Sequence, residues 1–153
     1  MSAKIGFIGA GKMATAMIEG LLAKGLYTKD EIVASCKSQS TKKRVSSELG
    51  IKVSTEPASV FSSADVIVIA VKPNQIEGIL TTNIEANSTK KLLVSIAAGI
   101  KISTLERYVP DSRIIRVMPN VCCMKGVMAY TKPSMPRYSL RSSMVWSEMG
   151  CSL

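Results

Sequence analysis

No histidine occurs in the 153 residues of this chain. That absence removes a Ser-His-Asp triad, a histidine general base and histidine metal ligands, and most hydrolase chemistry goes with them. Acidic residues are few, eleven Asp and Glu against twenty Lys and Arg, which leaves a net charge of +9. Such a balance suits nucleic acid, an acidic membrane surface or a phosphate-rich small ligand. Aromatic residues make up only 5% of the chain. The one tight basic cluster, Lys42-Lys43-Arg44, has no aromatics interleaved, so it reads as a solvated helix face and not as a nucleic-acid patch. No apolar run approaches the ~20 residues that span a bilayer. Met1-Ser2-Ala3-Lys4 leads straight into the first motif without a signal peptide, so a soluble cytoplasmic protein without membrane or nucleic-acid partners is expected. The four cysteines, Cys36, Cys122, Cys123 and Cys151, lack the paired spacing of a zinc site. Cys122 and Cys123 are adjacent and make poor mutual disulfide partners, so reduced thiols and no metal are expected.

What is present is a hydrophobic content of 46% with a mean hydropathy of +0.22. A chain of this size buries roughly 70% of its unfolded surface, enough for a real core. Short apolar runs rich in Ile and Val alternate with helical patterns. Ile5 to Ile8, Ile32 to Ser35, Val66 to Val71, Leu92 to Ala97 and Ile114 to Met118 read as buried strands of a parallel sheet. Met13, Met17 and Leu21, with Ala14, Ile18 and Leu22, recur at helical spacing, and Gly25 is placed to stop that helix. A second helix is expected over Thr41 to Leu49, ended by Gly50, and a third after Pro73. Ser103-Thr104-Leu105-Glu106 has the capping-box pattern of a fourth. The alternation predicts an α/β fold with a doubly wound, mostly parallel Rossmann-type sheet.

Gly9, Gly11 and Ala14 form G-x-G-x-x-A directly after the first predicted strand and at the mouth of the first predicted helix. Gly9 permits the tight turn, Gly11 lets the backbone approach a pyrophosphate, and Ala14 lets the helix pack on the strand. The helix start offers free N–H groups and the positive end of its dipole to phosphates. The second predicted strand ends in Ser35-Cys36-Lys37-Ser38-Gln39-Ser40, and no carboxylate occurs between Glu31 and Glu48. An NAD site uses an acid there for the ribose 2′-hydroxyl. Lys37 among hydroxyls suits a 2′-phosphate instead, so NADPH is expected over NADH.

The later predicted strands end in AVKP (Ala70 to Pro73), VSIAAG (Val94 to Gly99) and RVMPN (Arg116 to Asn120). Together with IGFIGAGKMATAMIEGLL, this ordered set over residues 4 to about 131 resembles the cofactor-binding domain of pyrroline-5-carboxylate reductase. The resemblance implies that Ile8, Gly9, Ala10, Gly11, Lys12 and Met13 hold the pyrophosphate and that Ser35 lies at the adenosine end. It places Ala70, Val71, Lys72 and Pro73, with Ile96, Ala97 and Ala98, at the nicotinamide half, and Asn120 near the nicotinamide. Two local departures stand out: Val121-Cys122-Cys123 follows Asn120 where Thr-Pro is frequent, and Ser54-Thr55-Glu56-Pro57 lacks an asparagine common near the cofactor phosphate.

Residues 1–131 are therefore expected to form a dinucleotide-binding domain, and residues 132–153, with two prolines and six serines after position 132, a flexible tail. Nothing after Tyr130 resembles the helical dimerisation domain of the family, so that domain is expected to be absent and the family's homo-oligomer with it. The function implied is reduction of 1-pyrroline-5-carboxylate to L-proline by NADPH, impaired in this chain. A non-catalytic NADPH-binding module, or a truncated isoform, is the alternative. No residue is an evident proton donor, and the imine takes its proton from solvent.

Overall fold

The computed structural model describes residues 4–83 and 91–118. Six strands and five helices alternate along them: β1 Ile5–Ile8, α1 Lys12–Ala23, β2 Ile32–Ser35, α2 Gln39–Leu49, β3 Lys52–Ser54, α3 Pro57–Ser63, β4 Val66–Ile69, α4 Pro73–Thr82, β5 Leu92–Ser95, α5 Ile102–Tyr108 and β6 Arg113–Arg116. The strands form one sheet in the order β3-β2-β1-β4-β5-β6, with every neighbouring pair parallel. This is the doubly wound order, with its topological switch between β1 and β4.

The order puts helices on both faces. On one, Ala14, Met17, Ile18 and Leu21 of α1 and Val45 and Leu49 of α2 pack on Phe7, Ile32, Ala34 and Val68. On the other, Val60 and Phe61 of α3, Ile76 and Leu80 of α4 and Leu105 of α5 pack on Ile8, Ile67, Ile69 and Leu93. Strands covered on both sides need apolar residues at every position, which is why β4 reads as an unbroken Ile and Val run and β1 as Ile and Phe. Gly6 is the exception. A Cβ there would collide with Val60 Cγ1 and lie 2.9 Å from Ala64 Cβ, so the missing side chain lets α3 settle onto β1. Lys91 closes the other end of α3, donating from Nζ to the carbonyls of Phe61 and Ala64.

Helix ends follow local chemistry. After α1, Gly25 N–H donates to the Leu22 carbonyl and Leu26 N–H to the Leu21 carbonyl, the paired bonds of a Schellman stop, and Leu26 packs back on the core. Gly50 ends α2 with φ +67°. The expected helix starts at Thr41 and after Pro73 become Gln39 and Pro73 itself, the proline taking the first helical position.

Three expectations are corrected. Strands β4, β5 and β6 stop two residues sooner than their apolar runs, at Ile69, Ser95 and Arg116, because the chain there leaves the ladder to form the sheet's carboxyl edge. Ser103 does not cap α5: the helix begins at Ile102 with Lys101 as N-cap and no side-chain cap bond. The capping box that does form is at Thr28 and Glu31, before the 3-10 turn Lys29–Glu31, where the Glu31 carboxylate accepts from Thr28 N–H at 2.8 Å. Finally, β3 and α3 went unrecognised in the sequence. The tail at 132–153 lies outside the described residues, as do Cys122, Cys123 and Cys151.

Candidate cofactor site

The chain turns from β1 into α1 at a point gripped by both neighbouring strands. Gly9 N–H donates to the Ser35 carbonyl of β2 at 2.9 Å, and Ala70 N–H, just past β4, donates to the Ile8 carbonyl at 2.8 Å. Gly9 itself has φ +101°, and a Cβ there would stand 2.6 Å from the Ala70 carbonyl oxygen. Its glycine is therefore a demand of the fold.

Gly11 is different. It is the N-cap of α1 with an ordinary φ of −76°, and a Cβ built on it would meet nothing within 4 Å among the described residues. Neither strain nor packing inside the chain calls for glycine, so the space above its backbone is free for something else. The helix start below it has no side-chain cap and no acid in its first turn. Lys12 occupies the first helical position instead, where the dipole disfavours a cation. An anion seated on this turn satisfies all three features: it fills the space, accepts from the free N–H groups and offsets Lys12. The residues present fit the pyrophosphate of a dinucleotide.

The other expected segments converge on the same edge. Ser35 ends β2 opposite Ile8 of β1, which in turn faces Ile69 of β4, and Ile69 faces Ser95 of β5. Residues 8–13, 35–37, 70–73 and 96–98 thus follow four adjacent strands at their carboxyl ends, the place where α/β sheets bind ligands. Ala10 and Ala97 are buried; Met13, Ala70, Val71 and Ile96 are half-buried; Lys12, Lys37, Lys72, Pro73 and Ala98 are exposed. Lys72 is the N-cap of α4. Asn120 lies outside the described residues.

Two details bear on the corner where the adenosine end is expected. Ser35 is 2% exposed, and its observed role is the carbonyl that fixes Gly9. The accessible hydroxyls are those of Ser38 and Ser40, which bond each other at 2.6 Å. Ser38 is the N-cap of α2 yet makes no cap bond to the helix backbone. The Cys36 thiol donates to the Ser38 carbonyl at 3.4 Å, and burial pushes its pKa up, so it closes the loop as a thiol. The half-buried Lys42 bears electrostatically on Cys36 and so joins this corner. Read along the chain it belonged to a solvated face; helical side chains lean toward the helix start, and that lean was the signal available.

Among the described residues, no group of His, Cys, Asp or Glu is arranged to hold a metal, and no helix is long and apolar enough to cross a membrane.

Comparison with known proteins agrees with this fold. Over 119 residues the chain is 40% identical to a pyrroline-5-carboxylate reductase of Methanosarcina acetivorans, covering 77% of this chain and 44% of that one. A solved pyrroline-5-carboxylate reductase of Coxiella burnetii superposes with a TM-score of 0.81 at 27% identity, covering 97% of this chain and 56% of that one. The Plasmodium falciparum pyrroline carboxylate reductase, solved with NADP bound, gives a TM-score of 0.73 at 26% identity, covering 97% and 54%. The chain thus spans about half the length of the relatives it matches. Residues 4–99 match the family model described as NADP oxidoreductase, coenzyme F420-dependent, and the chain belongs to that family.

Proposed function

We propose that this chain is the NADPH-binding part of a pyrroline-5-carboxylate reductase acting in proline biosynthesis, in the cytoplasm. Gly11 carries the reading: a glycine that the fold does not require, open on its outer side, above an uncapped helix start. The resemblance of the chain to reductases of that name supplies the substrate.

In this reading, residues 8–13 hold the pyrophosphate. Lys37, Ser38 and Ser40 receive the adenosine end and its 2′-phosphate. Residues 70–73 and 96–98, with Asn120, border the nicotinamide. Bound NADPH supplies a hydride to the C=N carbon of 1-pyrroline-5-carboxylate, whose nitrogen carries a proton from solvent, giving L-proline and NADP+. The half-buried Ala70, Val71 and Ile96 offer an apolar wall that keeps water from one side of the reacting carbon.

Titration of NADPH into the purified chain, followed by nicotinamide fluorescence, tests the cofactor reading. Gly11→Val puts a branched side chain where the pyrophosphate passes, so the affinity collapses while circular dichroism and the unfolding midpoint hold. A folded variant that binds NADPH like the unaltered chain places the dinucleotide elsewhere.

The site favours a second reading, in which this chain by itself holds NADPH without turning over: residues 8–13, 35–37, 70–73 and 96–98, which follow adjacent strands, all border the cofactor in this reading. Steady-state NADPH oxidation with pyrroline-5-carboxylate separates the two.

A further inference from the structure

Arg116 ends β6 opposite Ser95, the last residue of β5, and Val117 N–H donates to the Ser95 carbonyl at 2.8 Å. It therefore stands on the carboxyl edge, one strand beyond the segment 96–98. The side chain is half-buried, and its Nε is wholly buried with no hydrogen-bond partner among the described residues. Two buried hydroxyls, of Thr15 and Ser112, share that state. Ser112 precedes β6 at the opposite edge, and Thr15 lies inside α1. An unpaired hydroxyl is a small defect; a buried guanidinium N–H belongs to a permanent charge and carries the larger desolvation cost. No carboxylate lies near it in sequence on that edge: none occurs in residues 96–102 or 112–118.

A cation held partly out of water, with no ion pair among the described residues, is a cost to the fold that a ligand can remove. We infer that Arg116 binds an anionic oxygen group on the nicotinamide side of the edge, either the carboxylate of an organic-acid substrate or the nicotinamide-side phosphate of the cofactor. Both present oxygens to a guanidinium in the same way. The inference rests on the cofactor reading for the location of that side, and on the orphaned Nε for the residue.

Two variants and three measurements test it: R116M and R116K, with urea unfolding, NADPH affinity, and L-proline affinity in the presence of NADPH. Methionine fills similar space without the buried charge. R116M is expected to be as stable as the unaltered chain or more so, while one of the two affinities falls about tenfold or more, the scale of a lost hydrogen bond to a charged group. Loss confined to L-proline identifies the carboxylate; loss confined to NADPH identifies the phosphate. R116K, with its charge but no planar fork, recovers part of the affinity. R116M that fails to fold, or that keeps both affinities at any stability, assigns Arg116 to the fold and overturns the inference. Failure of the unaltered chain to bind NADPH is a different result, and it sinks the cofactor reading instead.

Discussion

In the proposed cofactor reading, residues at the corner beyond β2 decide which dinucleotide binds. Between Glu31 and Glu48 the chain has no carboxylate to take a ribose 2′-hydroxyl, while two exposed hydroxyls and two cations stand near a helix start that no side chain caps. Lys37 is exposed and Lys42 is half-buried on α2, so the two cations differ in how firmly they are placed. Replacing Lys37 with Ala should weaken NADPH by about 1–2 kcal/mol, toward the low end for a charged hydrogen bond because the site is exposed. NADH should be nearly unaffected. Lys42→Ala should act in the same direction, and at least as strongly, since its stem is already ordered. The check is a pair of dissociation constants, for NADPH and NADH, on each variant. Equal losses for both cofactors assign the discrimination to Ser38, Ser40 or the backbone.

At the scale of elements, the T-x-x-E pattern formed at one place and the S-x-x-E pattern failed at another, and the contrast is instructive. Thr28 and Glu31 stand at a connection on the surface, where their side chains satisfy the backbone and each other. Ser103 and Glu106 fall inside α5, whose N-cap lies two residues earlier, at Lys101, so that the helix buries Leu105. The hydrogen bonds from Thr28 hold the Glu31 carboxyl below its ordinary value of 4.5. A lowered folded-state pKa means a contribution to stability that is complete above that value and is lost as pH falls below it. Urea unfolding of Glu31→Gln should therefore show a shallower loss of stability between neutral and acid pH than the unaltered chain. Parallel pH curves for the two would show that the box does not couple to folding.

The same elements show what a sequence can reveal. Strands covered on both faces announce themselves as apolar runs, so β1 and β2 were legible to the residue. β3 sits at the sheet's edge with Lys52 exposed and Val53 half-buried, and three such residues leave no periodic trace. α3, PASVFSS, hides its pattern among serines; Pro57 at its first position and the pair Val60 and Phe61 were the only cues. For the site, Gly9 and Gly11 could be found by spacing, but their different reasons could not. Only the folded chain shows the Ala70 carbonyl under Gly9 and open space beside Gly11. Arg116 looked like part of a motif, and its unpaired Nε is a property of packing alone.

Across the whole molecule, the two edges of the sheet differ in charge. The edge where strands begin is mixed, with Asp30, Glu31, Asp65 and Asp111 beside Lys4, Lys29, Lys91 and Arg113, whereas Lys12, Lys37, Lys72, Lys101 and Arg116 lie where strands end, and Glu56 is the one carboxylate there among the described residues. Helices α1, α2, α4 and α5 all start on that edge with no acid in the first turn, adding their positive dipole ends to the same field. Such an edge can hold an anionic dinucleotide, but holding a cofactor is only half of hydride transfer. The imine must also be fixed against the nicotinamide, and apart from Arg116 the residues legible as binding groups all serve the cofactor side. Loss of well-aligned reactants forfeits roughly 7–11 kcal/mol of rate advantage. The 153-residue chain is therefore expected to bind NADPH yet oxidise it with pyrroline-5-carboxylate at a small fraction of the rate of a relative of full length. Parallel binding and turnover assays on the same preparation check this. Turnover matching a full-length relative would mean that this edge, with residues 119–153 or a second copy of the chain, builds a complete active site.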